Sequence, residues 1–202
     1  MKRIIEKTVI YHDVEKINPV YDGGDTYKKS KWDSFYDWTN SIIAAVIVIF
    51  LLFTFLFRPV SVSGRSMLPT LKNGDWLIVN HINYEPEYGD IVVVTKAREY
   101  DEPIIKRVIG LPGDIIDIDF TSGIVYRNGK KLEENYLNTP TNLSYDMKFP
   151  LTVPEKKVFV MGDNRNDSLD SRSSTIGFID KRYILGKATA RIFPITKFKI
   201  FN

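Results

Sequence analysis

The sequence holds no cysteine in 202 residues and only two histidines, His12 and His81. The missing thiols exclude disulfide scaffolds, thiolate zinc sites, iron–sulfur clusters and cysteine nucleophiles together. Two histidines make a Ser-His-Asp catalyst or a multi-histidine metal centre hard to build. Charge of one sign is scarce as well. The 28 basic residues stand against 25 acidic ones, a net +3 with neutral histidine. That surplus does not by itself point to nucleic acid. H-E-x-x-H, G-x-x-x-x-G-K, G-x-S-x-G and S-x-x-K are all missing, so the familiar soluble-enzyme motifs do not apply. At 44% apolar and 26% charged residues, wholesale disorder is excluded.

What is present is unevenly spread. Between Asp37 and Arg58 run twenty residues without a charge, WTNSIIAAVIVIFLLFTFLF. At about 1.5 Å per helical residue they span about 30 Å, the thickness of a bilayer's hydrocarbon core. The run is apolar all round, unlike a buried core helix with a polar stripe. It is too long, and starts too late, for a cleaved leader. One transmembrane helix over 38–57 is expected. Lys28, Lys29 and Lys31 precede it closely, against Arg58 and Arg65 beyond it. The bias of basic residues puts residues 1–37 in the cytoplasm as a flexible tail and residues 58–202 outside.

Beyond the helix the texture is that of strands. Leu77–Val79, Ile91–Val94, Ile104–Ile109, Ile115–Phe120 and Val158–Met161 are short β-branched runs bounded by Gly, Pro, Asn or Asp. Ile124–Arg127, Asn128-Gly129 and Lys130–Leu132 read as a hairpin with a type I′ turn. Ala188–Phe193 and Phe198–Phe201 offer one or two more strands, and a short helical turn can open near Pro69. A mainly β domain follows the helix. Residues 138–154, with three prolines, read as a surface loop or variable excursion.

Three segments can carry chemistry. Ser66 lies in SGRSMLPTL, on a turn between a glycine and a proline that would hold its hydroxyl exposed. An ordinary polar turn is the plain alternative. Lys106 lies inside the apolar strand IIKRVIG. Strand alternation sends Lys106 and Arg107 to opposite faces. Facing inward, Lys106 would lose proton affinity by desolvation and become a neutral general base. At an edge it would instead snorkel to solvent. The third segment, GDNRNDSLDSR, is a hydrogen-bonded loop, a cation site or a polar brace. The calcium-loop pattern fails there, lacking Gly at its sixth and Glu at its twelfth position. Its acids alternate with arginines, which favours ion pairs over a metal. No metal or cofactor is expected. His81 reads as a surface or satisfied histidine.

In this order, SGRSMLPTLKNGDWLIV, YGDIVVV, IIKRVIGLPGD and GDNRNDSLDSR, continued by GFIDKRYILGKATARIFP, resemble the type I (leader) signal peptidases of the single-span bacterial type. The resemblance implies a coiled-sheet, mainly β catalytic domain on one N-terminal transmembrane helix in the bacterial cell membrane. It implies a serine–lysine endopeptidase that removes signal peptides from secreted precursors with small residues before the cut. Ser66 would be the nucleophile, Lys106 its general base and Ser168 the residue that orients the lysine. Arg107, Asp163, Asp170 and Arg172 would brace the loop. Val62, Met67, Leu71 and Ile105 would line shallow pockets, with the plain alternative that they are core. Two-span members carry an oxyanion-binding serine two residues before the nucleophile. Here that position is Gly64, which leaves the Ser66 N–H as donor with Gly64 helping by its backbone. The competing readings are a self-cleaving serine–lysine peptidase and a silent membrane-anchored binding protein. The uncharged span argues against the first, and the three intact residues Ser66, Lys106 and Ser168 against the second. Ser66 is nine residues past Phe57, at most about 30 Å of extended chain. That keeps it near the bilayer surface, where a cleavage site emerges.

Overall fold

A computed structural model describes residues 31–55 and 57–201. Most of the expected tail, residues 1–30 with His12, lies outside the described residues. The described chain divides into two compact units between Ala44 and Ala45.

Helix α1 covers Lys31–Phe55 and contains the apolar stretch Ser34–Leu52, long enough to cross a membrane. It begins before Asp37, so the polar flank expected as tail is helical from Lys31 onward. Thr39 and Ser41 donate their hydroxyls to Phe35 O and Asp37 O, both at 2.8 Å, so neither hydroxyl is left unpaired on an apolar helix. The expected span to residue 57 ends sooner, because strand β1 (Phe57–Ser61) has begun. Pro59 explains the switch: it lacks an N–H and disfavours helical backbone at Arg58.

The later strands are β2 (Trp76–Asn80), β3 (Ile91–Val94), β4 (Ile104–Gly110), β5 (Ile115–Asp119), β6 (Ile124–Arg127), β7 (Lys130–Lys131), β8 (Leu151–Thr152), β9 (Lys157–Met161), β10 (Ile179–Asp180), β11 (Ile184–Phe193) and β12 (Lys199–Ile200). Every expected strand is present. The residues near Pro69 form the single turn expected there, closed by Leu71 N–H to Met67 O at 2.8 Å. Asn128 and Gly129 both have positive φ, 53° and 75°, as a type I′ turn demands.

A large antiparallel sheet has the order β1-β2-β11-β3-β4-β9-β10, with β12 on β11. A second sheet runs β7-β6-β5-β8. Register shifts interrupt β11 against both neighbours and β4 against β9. Such irregularities bend and coil a sheet. Three apolar clusters fill the domain. One gathers Val92, Val94, Val108, Val160 and Ile176; a second joins Ile109, Ile116, Val125, Phe159 and Met161; the third joins Val62, Met67, Leu71, Leu77 and Ile91.

Among the described residues the start of β4 and the outer side of β1 are open edges. β3 pairs with Ile104–Arg107 of β4, whereas β9 pairs only from Arg107 onward. The start of β4 therefore has no strand on its far side. β1 is one end of the sheet and is equally unpaired on its outer side. The stretch 138–154, expected as a variable excursion, holds β8 and the fully buried Thr141.

Candidate active site

Lys106 is fixed by its strand. Its register partner on β3 is Val92, and the side chain is 3% exposed among apolar neighbours. Lys106 Nζ donates to Ser66 Oγ at 2.7 Å, forty residues away in sequence. Among the described residues no carboxylate pairs with this amine. Burial is the first cause acting on its pKa, which is pulled from 10.5 down to about 8. Asp170 opposes that shift, and Arg172 in turn supports it. Asp163 opposes it more weakly, and desolvation decides the outcome.

Gly162 makes the approach of the loops possible. A Cβ at this position would lie 2.2 Å from Ser168 Oγ and 2.5 Å from Ser66 O. Only a bare backbone fits between the Ser66 turn and the segment after β9. Asp170 ties this corner together. Its Oδ2 accepts from Gly162 N at 3.0 Å and Ser168 Oγ at 2.8 Å. Arg172 Nε and Nη2 reach its two oxygens, both at 2.9 Å. The remaining Arg172 donors go to Leu143 O, Arg165 O and Ser168 O. Both members of the pair are fully buried, a costly arrangement tolerated only when every donor is satisfied.

The structure redistributes several expected roles. Ser168 is buried beside Ser66, but its hydroxyl donates to Asp170 and makes no hydrogen bond to Lys106. The single brace expected from Arg107, Asp163, Asp170 and Arg172 is two. Arg107 lies on the opposite face of β4 and grips Asp163 with two bonds, Nε at 2.8 Å and Nη2 at 2.6 Å. Asp163 also accepts from Thr70 Oγ1 at 2.5 Å, on the turn that carries Ser66. Tyr136 stacks on the Arg107 guanidinium, 4.0 Å away. The Gly64 N–H is engaged by Asn73 Oδ1 at 3.0 Å, whereas among the described residues the Ser66 N–H has no acceptor. Of the two backbone donors expected to face an oxyanion, only that of Ser66 is free.

A groove of about 390 Å³ runs past Ser66 and Lys106. Val60, Ser61 and Ser63 form one wall; Ile104, Ile105 and Leu169 form the other. Of the four expected pocket residues only Ile105 lines it. Val62, Met67 and Leu71 sit in the third apolar cluster, each at most 5% exposed. Alternation explains the exchange: Val62 turns inward, so its neighbours Ser61 and Ser63 face the groove. Met67 and Leu71 stack on the inner side of their turn. His81 is half-buried and lines no part of the groove; its Nδ1 has no partner among the described residues.

Sequence reasoning missed the supports from 132–150. Glu134 holds the buried Arg165 with two bonds, and Thr141 adds a third. Tyr145 Oη donates to Ser168 O at 3.0 Å. The irregular stretch with Pro140 and Pro150 concealed them, because proline marks irregular backbone and not whether that backbone is buried.

The family model described as signal peptidase, peptidase S26, matches residues 35–193. Signal peptidase I P of Bacillus subtilis subsp. natto is 39% identical over 183 residues, covering 85% of this chain and 96% of the relative. Signal peptidase IB of Staphylococcus aureus is 36% identical over 183 residues, covering 81% and 92%. A crystal structure of a signal peptidase I from Enterococcus faecalis is 33% identical, with a TM-score of 0.44 over 52% of this chain and 98% of that one. With most of its length matched by the family model and by full-length relatives, the chain belongs to peptidase family S26 and is a signal peptidase I, a serine endopeptidase.

Proposed function

We propose that the protein cleaves signal peptides from secreted precursors with a Ser66–Lys106 dyad, anchored by α1 with its N-terminus in the cytoplasm. One observation carries the mechanism: a buried lysine with no ion-pair partner among the described residues, 2.7 Å from a serine hydroxyl. Neutral Lys106 takes the Ser66 proton as Oγ attacks the scissile carbonyl, and the Ser66 N–H stabilises the oxyanion. The lysine ammonium then gives its proton to the leaving amine. Water, activated by the same amine, releases the acyl group from Ser66. Ser168 acts on this chemistry through Asp170, whose carboxylate it helps to hold.

The groove supports a precursor bound as an added strand. Its walls come from the unpaired start of β4 and the segment that continues β1, both with free backbone groups. Main-chain hydrogen bonds would hold an extended peptide there. The close walls at Ser61, Ser63, Ile105 and Leu169 favour small side chains before the cut. The basic flank of α1 and the apolar length of the helix support the membrane topology.

The test is cleavage of a signal-bearing precursor by the full chain in vesicles. Ser66→Ala and Lys106→Ala should each abolish product while leaving the protein folded and membrane-bound. Wild-type cleavage by Ser66→Ala would refute the reading. A protease-protection assay that finds the β domain on the lysine-rich side of α1 would refute the topology.

A further inference from the structure

Asn164 was not singled out by the sequence, yet it touches the nucleophile's backbone twice. Its N–H donates to Ser66 O at 2.9 Å. Its side-chain Nδ2 donates to Arg65 O at 3.2 Å. The second bond bears on the oxyanion, because Arg65 O and the Ser66 N–H belong to one peptide unit. A trans peptide is planar and points its C=O and N–H in opposite directions. Whatever holds the carbonyl therefore aims the N–H.

We propose that Asn164 is a positioning residue that aims the Ser66 N–H into the oxyanion site by anchoring the Arg65 carbonyl behind it. The proposal deepens the serine–lysine reading and rests on it. Two features raise the demand on this peptide. Position 64 is glycine, so no side-chain hydroxyl is available there. The Gly64 N–H is already given to Asn73. The Ser66 N–H is left as the free backbone donor, and its direction matters correspondingly more. Leu68 N–H shares the Arg65 carbonyl at 3.1 Å, so the turn supplies one anchor and Asn164 the other. The two anchors act in different ways. The turn's own bond moves with the turn, whereas Asn164 ties the peptide to the segment after β9, beyond the rigid Gly162 contact. Two donors on the carbonyl also polarise the peptide and strengthen its N–H as a donor.

The experiment uses the full chain in detergent micelles. The substrate is a peptide with alanine at the first and third positions before the scissile bond. The matching peptide aldehyde mimics the tetrahedral intermediate. Asn164→Ala should lower kcat by about 10- to 100-fold, somewhat less than removing an oxyanion donor itself. KM should stay within about threefold. Aldehyde affinity should fall in parallel with kcat/KM, the signature of lost transition-state binding. The pH at which Lys106 deprotonates should not move, because Asn164 does not touch it. A purely structural defect would instead move KM and the pH profile together. Asn164→Asp keeps the volume and the backbone bond but cannot donate to the carbonyl. It should show the same losses, and it decides the matter if Asn164→Ala fails to fold. Wild-type kcat in the folded variant, or a loss with unchanged aldehyde affinity, would overturn the proposal. Neither result touches the dyad, which stands or falls with Ser66→Ala.

Discussion

Lys106 and Arg107 are consecutive residues on β4, and the strand turns them to opposite faces. On one face Lys106 is buried with a serine hydroxyl as its hydrogen-bond acceptor and, among the described residues, no carboxylate paired with it. On the other, Arg107 makes a bidentate pair with Asp163, donates to Gly89 O and lies against Tyr136. Burial works against the charge of both. For Lys106 it dominates, and the pKa falls to about 8. For Arg107 the hydrogen bonds and charge of Asp163 outweigh it, and the pKa is raised. Burial alone therefore does not make a reactive amine. What makes one is burial with the partner withheld, and here the neighbouring cation receives the partner instead.

The sharpest way to break this contrast is Lys106→Met. Activity should fall by about 1,000-fold or more, the upper range of a general base's contribution. Stability should move the other way. Lys106 has a folded pKa of about 8 against 10.5 unfolded, so folding is disfavoured while the amine is charged. The wild-type protein gains stability as pH rises from about 8 to 10.5. At pH 7 the methionine variant should be roughly 3 kcal/mol more stable, and above pH 10.5 the gain should vanish. Denaturant unfolding at the two pH values checks both signs.

Arg107→Met should do the reverse on the other face. It strands Asp163, whose side chain is fully buried, at a cost of about 3–5 kcal/mol. Thermal unfolding should start about 10 °C lower. If the variant were as stable as wild type, the Arg107–Asp163 pair would not brace the Ser66 turn. A pH–rate profile gives a smaller effect. kcat/KM should rise about tenfold per unit up to about pH 8 and then level, because only the neutral amine acts. A rate independent of pH from 6 to 9 would contradict a lysine base. The smallest effect concerns Arg172. Its charge helps keep the Lys106 pKa low, so Arg172→Gln should move the rising limb to higher pH in whatever fraction of the protein stays folded.

Much of this was legible in the sequence, for definite reasons. Ile91–Val94 and Val158–Met161 are β-branched runs with clear boundaries, and they form β3 and β9. Asn128-Gly129 has the residues a type I′ turn requires, and the turn is there. Ser66 and Lys106 stood out as a serine on a constrained turn and a lysine in an apolar strand. Other features were hidden because they depend on contacts between distant segments. Val62, Met67 and Leu71 have the apolar character of pocket or core alike; packing against Leu77 and Ile91 makes them core. Ser168 is two residues from Asp170 and close to Ser66 in space, and the nearby carboxylate takes its hydrogen bond. Tyr136 and Tyr145 gave no signal in a proline-rich stretch, yet they back Arg107 and Ser168.

The scarcity of cysteine and histidine keeps its meaning. A pairing of Ser66 with the Lys106 amine, as proposed above, needs neither the absent cysteine nor a histidine, and His81 lines no part of the groove. The sequence by itself determined the apolar helix, the mainly β character of the domain beyond it and the alternation that separates Lys106 from Arg107. Those are local properties, written in composition and period. Only the tertiary structure decided which cation would be left without a carboxylate, which residues would face the groove and what would aim the Ser66 peptide. Each of those turns on groups far apart in the chain meeting within hydrogen-bond distance, and no local pattern encodes that meeting.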